Sequence, residues 1–192
     1  DPAGNFMTWD GKGIISNGST VSTIKVSTIF ESSTRFTSTS AGGGTNTFDS
    51  AGLTLNTSAG AGGWAKTVFL FDPGSAMNVY SCVPVFTTTL NINSVPGAGA
   101  ASDFFVGIGT LVTEAAGLTF TNAHIGFKLL WTAANTLSLY ATQADQTTES
   151  ASAVLTTVTS SDFLELIVKV NSSTSVYYYW RKNGGALSAA TE

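Results

Sequence analysis

Residues 162–170, "DFLELIVKV", followed by residues 175–181, "SVYYYWR", and the turn "NGG" at 183–185, decide how this chain folds. In the first segment Leu164, Leu166, Val168 and Val170 fall on one side of an extended chain, and Phe163, Glu165, Ile167 and Lys169 on the other, because side chains alternate at every step of a strand. The first side is wholly aliphatic and predicts a core face. The second is mixed and predicts a partly wetted one. In the next segment Val176, Tyr178 and Trp180 share one side, and Tyr177, Tyr179 and Arg181 the other. Asn183-Gly184 supplies two positions that tolerate positive φ, as a type I′ hairpin turn requires, and Ala186-Leu187 should begin the return leg. Alternation therefore forbids the four aromatics from making one platform. Tyr177 and Tyr179 stay together on the outer side, beside Arg181, where they can stack on a sugar ring or against a neighbouring subunit.

The same grammar recurs along the chain. Alternating or short apolar runs predict strands at 20–30, 52–57, 64–71, 78–92, 103–113, 123–131, 136–142 and 152–159, with turn signals such as "DPGS", "VPGAGA" and "AAN" between them. Helical periodicity is nearly absent. Ten short strands at this spacing predict an all-β fold, an antiparallel two-sheet β-sandwich or barrel. Residues 1–16 are expected to be an N-terminal arm or linker and residues 17–192 a single sandwich domain. The glycine clusters at 42–44 and 60–63 are expected to be loops at one end of it.

With 192 residues the chain is long enough for one sizeable core. Charged residues make up only 10%, against the usual quarter or so; Ser, Thr and Gly take their place. Such a hydroxyl-rich, weakly charged surface is expected outside the cytoplasm, in an extracellular or virion setting. A net charge of −4 with scattered basic residues argues against nucleic-acid binding. No apolar run is long enough for a membrane-spanning helix, and the opening "DPAGNFMTWDGKG" does not look like a signal peptide. Cys82 is the one cysteine, in an apolar run, and is expected to be a buried, inert thiol.

Chemistry-bearing patterns are few. His124 is the sole histidine, without a cysteine pair or an acidic cluster beside it in sequence, so a structural role is expected rather than a zinc site. No G-x-S-x-G elbow accompanies it. Asp162 and Glu165 lie three apart on a strand start, on opposite faces, and fail as a glycosidase pair. "WDGKG" and "FDPGSAMN" each offer one carboxylate, too few for a dedicated calcium loop. Asn17, Asn56 and Asn171 open glycosylation sequons, which arise readily in a Ser/Thr-rich chain. No catalytic residue, metal ligand or cofactor is expected. The candidate carbohydrate-binding residues are Tyr177, Tyr179, Arg181, Trp64 and Trp131, the tryptophans taken as lying on exposed faces.

The segment "AHIGFKLLWTAANTLSLYATQADQTTESASAVLTTVTSSDFLELIVKVNSSTSVYYYWRKNGGALSA" resembles the concanavalin A-like, laminin G-like jelly-roll domains of bacteriophage virion appendages and some secreted bacterial proteins. The shared pattern is an "IGFK" strand, an "LSLYAT" strand, a threonine-rich strand, "FLELIVKV", and an aromatic strand running into Asn-Gly. Upstream, residues 33–71 are similar to the opening strands of those domains. The resemblance implies two curved antiparallel sheets and, as often in such domains, a trimer or larger assembly. It carries over no binding or catalytic residue: the Glu-x-Asp-x-x-Glu strand of jelly-roll glucanases and the Asp/Asn-rich calcium loop of legume-type lectins are both missing. With the low charge and the lack of catalytic patterns, the expected role is a non-enzymatic structural protein of a virion or extracellular assembly, a capsid decoration, head-fibre or tail-fibre module. The alternative is a module that attaches to cell-surface glycan.

Overall fold

The computed structural model describes residues 6–9, 14–17, 37–49, 52–56, 64–68, 85–95, 97, 103–109, 114–115, 117–118, 123–145, 147–172 and 174–192. Every regular element among them is a strand, and every pairing is antiparallel. The chain divides into two compact units, 1–84 and 85–192.

Among the described residues the first unit contains three strand pairs. β1 (Phe6–Trp9) pairs with β2 (Ile14–Asn17), β3 (Thr37–Ala41) with β6 (Trp64–Val68), and β4 (Thr45–Asp49) with β5 (Gly52–Asn56). Gly42 and Gly43, expected to belong to a loop, instead form a tight turn between β3 and β4, with φ of 61° and 86°. Only glycine reaches that left-handed region without cost. The expected strand at 20–30, Cys82 and the glycines at 60–63 lie outside the described residues.

The second unit holds two larger sheets. β7 (Val85–Asn91), β15 (Phe163–Ser172) and β16 (Ser175–Lys182) form a three-stranded sheet with β15 in the middle. β8 (Phe104–Gly109), β11 (His124–Ala133), β12 (Thr136–Ala144), β13 (Glu149–Ala151) and β14 (Thr156–Val158) form a five-stranded sheet, in which β13 and β14 both pair with β12. The short pair β9 (Glu114–Ala115) and β10 (Gly117–Leu118) stands apart from both. The expected strand at 152–159 is trimmed to β14, because the register against β12 shifts by two residues between β13 and β14, while Ser152 and Leu155 still give their amides to the carbonyls of Ala141 and Leu139.

Alternation decides what is buried. Leu164, Leu166, Val168 and Val170 of β15 are buried on one side. They join Tyr178 of β16, Phe127 and Leu129 of β11, Leu137, Leu139 and Ala141 of β12, and Val158 of β14 in the buried interior. The two sheets thus face one another across a shared apolar core. Tyr178 ties them: its ring meets Phe127 edge-on at 5.6 Å, and its hydroxyl donates to the Thr142 carbonyl at 3.2 Å. Burial pushes the Tyr178 phenol up to about 12, so it stays a donor throughout the physiological range. Val176 and Trp180 also pack against this core, as their side of the strand predicts.

The Asn183-Gly184 turn forms as its sequence predicts. Both residues have positive φ, 51° and 71°, and the Gly185 amide closes the turn on the Lys182 carbonyl at 2.9 Å.

Candidate functional site

Tyr177, Tyr179 and Arg181 lie on the side of β16 turned away from the core, and the strand register gives each a partner row. Across β15 and β7 the rows run Tyr177–Lys169–Val85, Tyr179–Ile167–Thr87 and Arg181–Glu165–Thr89. Directly opposed side chains in such a ladder sit roughly 5 Å apart, and same-face neighbours along a strand about 7 Å apart. The result is one continuous outer face, with Ile167 at its centre and the two tyrosines along the β16 side. Val85, 48% exposed, and Phe163, 37% exposed, extend it at the margins.

Charge on this face is arranged in the plane. Arg181 donates to Glu165 through Nε at 2.5 Å and through Nη2 to the same carboxylate oxygen. The guanidinium expected to lie ready for a ligand beside the tyrosines is therefore committed to its cross-strand neighbour. Lys169 stands opposite Tyr177 and gives the face a local positive charge beside an aromatic ring. An aromatic pair flanked by an internally neutralised ion pair suits a flat partner, because few charges must be stripped of water when it docks.

Trp131 is not part of this surface. It follows Phe127 and Leu129 on the core side of β11, in the other sheet, and packs partly buried against the core. Its expected exposed position is lost because its strand parity is that of the core residues. Trp64 opposes Ala41 in the β3–β6 ladder of the first unit; its side chain lies outside the described residues. The structure thus brings together Tyr177, Tyr179 and Arg181 of the five candidates.

Asp162 and Glu165 are both engaged. Asp162, buried just before β15, accepts hydrogen bonds from the Thr159 amide (2.7 Å) and hydroxyl (3.1 Å) and from the Asn183 side chain (2.7 Å), and pairs with Lys182 at 2.8 Å. Burial raises its pKa, but the bonds from Lys182, Thr159 and Asn183 together outweigh it and hold the carboxyl well below the usual range. This knot fixes Ser161 at a φ of 72° and fastens the end of β15 to the hairpin. Glu165 serves Arg181 on the outer face, so Asp162 and Glu165 have separate structural partners.

A second polar cluster was invisible in the linear sequence. On the non-core side of the five-stranded sheet, His124, 3% exposed, meets Thr142, 1% exposed, with Nε2 and Oγ1 3.1 Å apart. Thr142 donates to Glu149 at 2.7 Å, and Lys128 donates to the same oxygen at 2.5 Å. A hydroxyl has one proton; with it given to Glu149, His124 must be the donor to Thr142. The chain of donors therefore runs from His124 through Thr142 to a carboxylate that also carries Lys128. Burial raises the Glu149 pKa, but Lys128, Thr142 and the nearby His124 more than offset it, and the group is lowered overall. The Lys128 ammonium also lies 5.8 Å from the Tyr140 ring centroid. Period-two alternation in "HIGFK" would have put His124 and Lys128 on one face. Nothing in sequence marks Glu149, which reaches them only because β13 pairs Glu149 with Ala144.

Two glycines serve this face. Gly107 and Gly126 oppose each other in the β8–β11 ladder, and a Cβ on either would lie 2.7 or 2.9 Å from the Phe105 ring. The ring fills the slot their missing side chains leave, and meets the His124 imidazole edge-on at 5.2 Å.

Comparison of the chain with protein-family models, with curated proteins and with solved structures finds no match. Among the described residues no three His, Cys, Asp or Glu side chains come together as a metal site.

Proposed function

We propose that this chain is a non-enzymatic structural module of a virion or extracellular assembly, built as a concanavalin A-like jelly-roll sandwich, and that it packs on a partner through the outer face of β7, β15 and β16. The observation that carries this is the shared outer face of Tyr177, Tyr179, Ile167 and Val85, with Arg181 and Glu165 neutralised within it. A surface of this kind gains from apolar and aromatic burial while exposing few unpaired charges to desolvation. The ion-paired state of Glu149, Asp162 and Glu165 supports a scaffold role, since each carboxylate is spent on holding strands together. The low charge and hydroxyl-rich composition support a setting outside the cytoplasm.

The tyrosine pair favours a second reading, attachment to a glycan by stacking of sugar rings. One experiment separates them. Light scattering on the purified chain, run with and without Tyr179→Ala, reports assembly; a glycan array on the same two proteins reports attachment. A stable oligomer that Tyr179→Ala weakens, with a blank array, supports the structural module. A glycan hit lost in Tyr179→Ala supports attachment, and a wild-type chain that neither assembles nor binds sinks both.

A further inference from the structure

After the Asn183-Gly184 turn the chain runs back along the outer edge of β16, and its pairing there is irregular. The turn sets Lys182 against Gly185, so a regular two-residue hairpin would oppose Trp180 to Leu187 and Tyr178 to Ala189. The structure differs. Ser188, not Leu187, gives its amide to the Trp180 carbonyl at 2.9 Å, and the Trp180 amide is satisfied by the Ser188 hydroxyl at 3.0 Å rather than by a main-chain carbonyl. Further on, Thr191 exchanges both backbone bonds with Tyr178, at 2.8 and 3.0 Å, two residues beyond the position the turn dictates. The extra residues bulge outward and leave Leu187 49% exposed.

The chain before the turn is held far more firmly. The Asn183 amide donates to the Phe163 carbonyl at 2.8 Å, the Phe163 amide to the Asn183 side chain at 2.7 Å, and that side chain in turn to Asp162. Order on the β15 side therefore extends to Asn183. Past Gly184, where a Cβ would meet nothing within 4 Å, the return leg hangs on a short and slipped ladder.

We propose that the outer edge of β16 is a strand-acceptor site for residues 185–192 of a second copy of this chain, reached by reciprocal exchange of the return leg. The partner is a second copy because this segment already carries side chains that recognise the edge: Ser188 for Trp180, Thr191 for Tyr178, and Glu192, whose carboxylate accepts from the Ser175 hydroxyl at 2.7 Å. Within one chain the turn imposes one register and the segment settles in another. A strand arriving from another copy has no turn to obey, so the contacts of Ser188, Thr191 and Glu192 alone set how it lies along Trp180 and Tyr178. Reciprocal exchange closes on itself as a two-fold dimer. This site is separate from the tyrosine face, which lies on the broad side of the same sheet.

The test deletes Gly184 and Gly185 from the full chain, so that the leg can no longer fold back on its own strand. Light scattering should give twice the chain mass of 19.8 kDa, with the Tyr178 and Trp180 amides still protected from hydrogen exchange. A monomer in which those two amides exchange freely overturns the proposal. The wild-type chain gives a second measurement that no folding defect can obscure. Equal amounts of isotopically light and heavy protein are unfolded together and refolded over a hundredfold range of concentration. Mixed-mass dimers that increase with concentration and persist with Tyr179→Ala support the proposal. Monomers at every concentration, or dimers that Tyr179→Ala abolishes, overturn it, the latter assigning association to the tyrosine face instead.

Discussion

Leu166 and Ile167 are neighbours in the middle of β15, flanked by the same two strands, and differ only in which way they point. Leu166 opposes Trp180 and Thr88 and is fully buried; Ile167 opposes Tyr179 and Thr87 on the outer face and is half-buried. Leu166→Ala removes side-chain atoms from a site that cannot easily collapse, because β15 is hydrogen-bonded on both edges and its aliphatic face abuts the opposite sheet. The upper part of the usual range applies, about 3–5 kcal/mol including the residual cavity. Ile167→Ala removes a similar volume, but from a surface that water already reaches, and is expected to cost about 1 kcal/mol, largely through lost strand propensity and cross-strand packing. For a cooperative unit of about 100 residues the buried substitution should lower Tm by roughly 12–25 °C and the exposed one by about 5 °C. Urea denaturation, giving midpoint and slope separately, is the assay, with circular-dichroism melting as the check on Tm. Equal losses from the two substitutions, or a larger one from Ile167→Ala, would refute the assignment of the two faces and with it the shared core.

Three further outcomes test other parts of the structure. Gly184→Val should destabilise by about 1–2 kcal/mol through backbone conformation alone, since a β-branched residue resists positive φ while the space around Gly184 is open; an unchanged Tm rejects the turn. Asp162 and Glu149 are both held below their unfolded pKa values, so the stability they contribute is complete above about pH 5 and drains away as pH falls through 4. Melting scans from pH 7 to pH 2.5 should show that loss, and Asp162→Asn should begin from a lower Tm and fall less steeply; an Asp162→Asn curve parallel to wild type contradicts the knot. Lys128→Met leaves Glu149 without its ammonium partner and should cost about 1.5–3 kcal/mol, while adding Glu149→Gln should recover part of the loss. Strictly additive costs in that double-mutant cycle, measured in urea, reject the coupling.

The strand pair at 163–182 was legible because its two faces differ so sharply in polarity: an aliphatic row at every second position has only one place to go. The turn was legible because Asn-Gly satisfies a backbone requirement that few dipeptides meet. Trp131 was misplaced because exposure of a residue near a strand end depends on what the facing sheet covers, which parity in "HIGFKLLW" indicates only once the core side is known. Arg181 was expected to be available to a ligand because the register that sets Glu165 opposite it is a property of two strands, not of either one. The His124–Thr142–Glu149–Lys128 chain went unseen for the same reason: its members come from three strands, and Glu149 is 25 residues from His124.

By itself the sequence determined the all-β character, the inward row of β15, the outward grouping of Tyr177, Tyr179 and Arg181, and the turn at Asn183-Gly184, since each is a local consequence of alternation and backbone sterics. Only the tertiary structure decided which strands are neighbours, and so which ions pair, which hydroxyl relays a proton's charge to Glu149, and how the last residues lie along β16. Those outcomes rest on non-local register: sliding a strand past its neighbour leaves its own pattern unchanged but replaces every partner across the ladder.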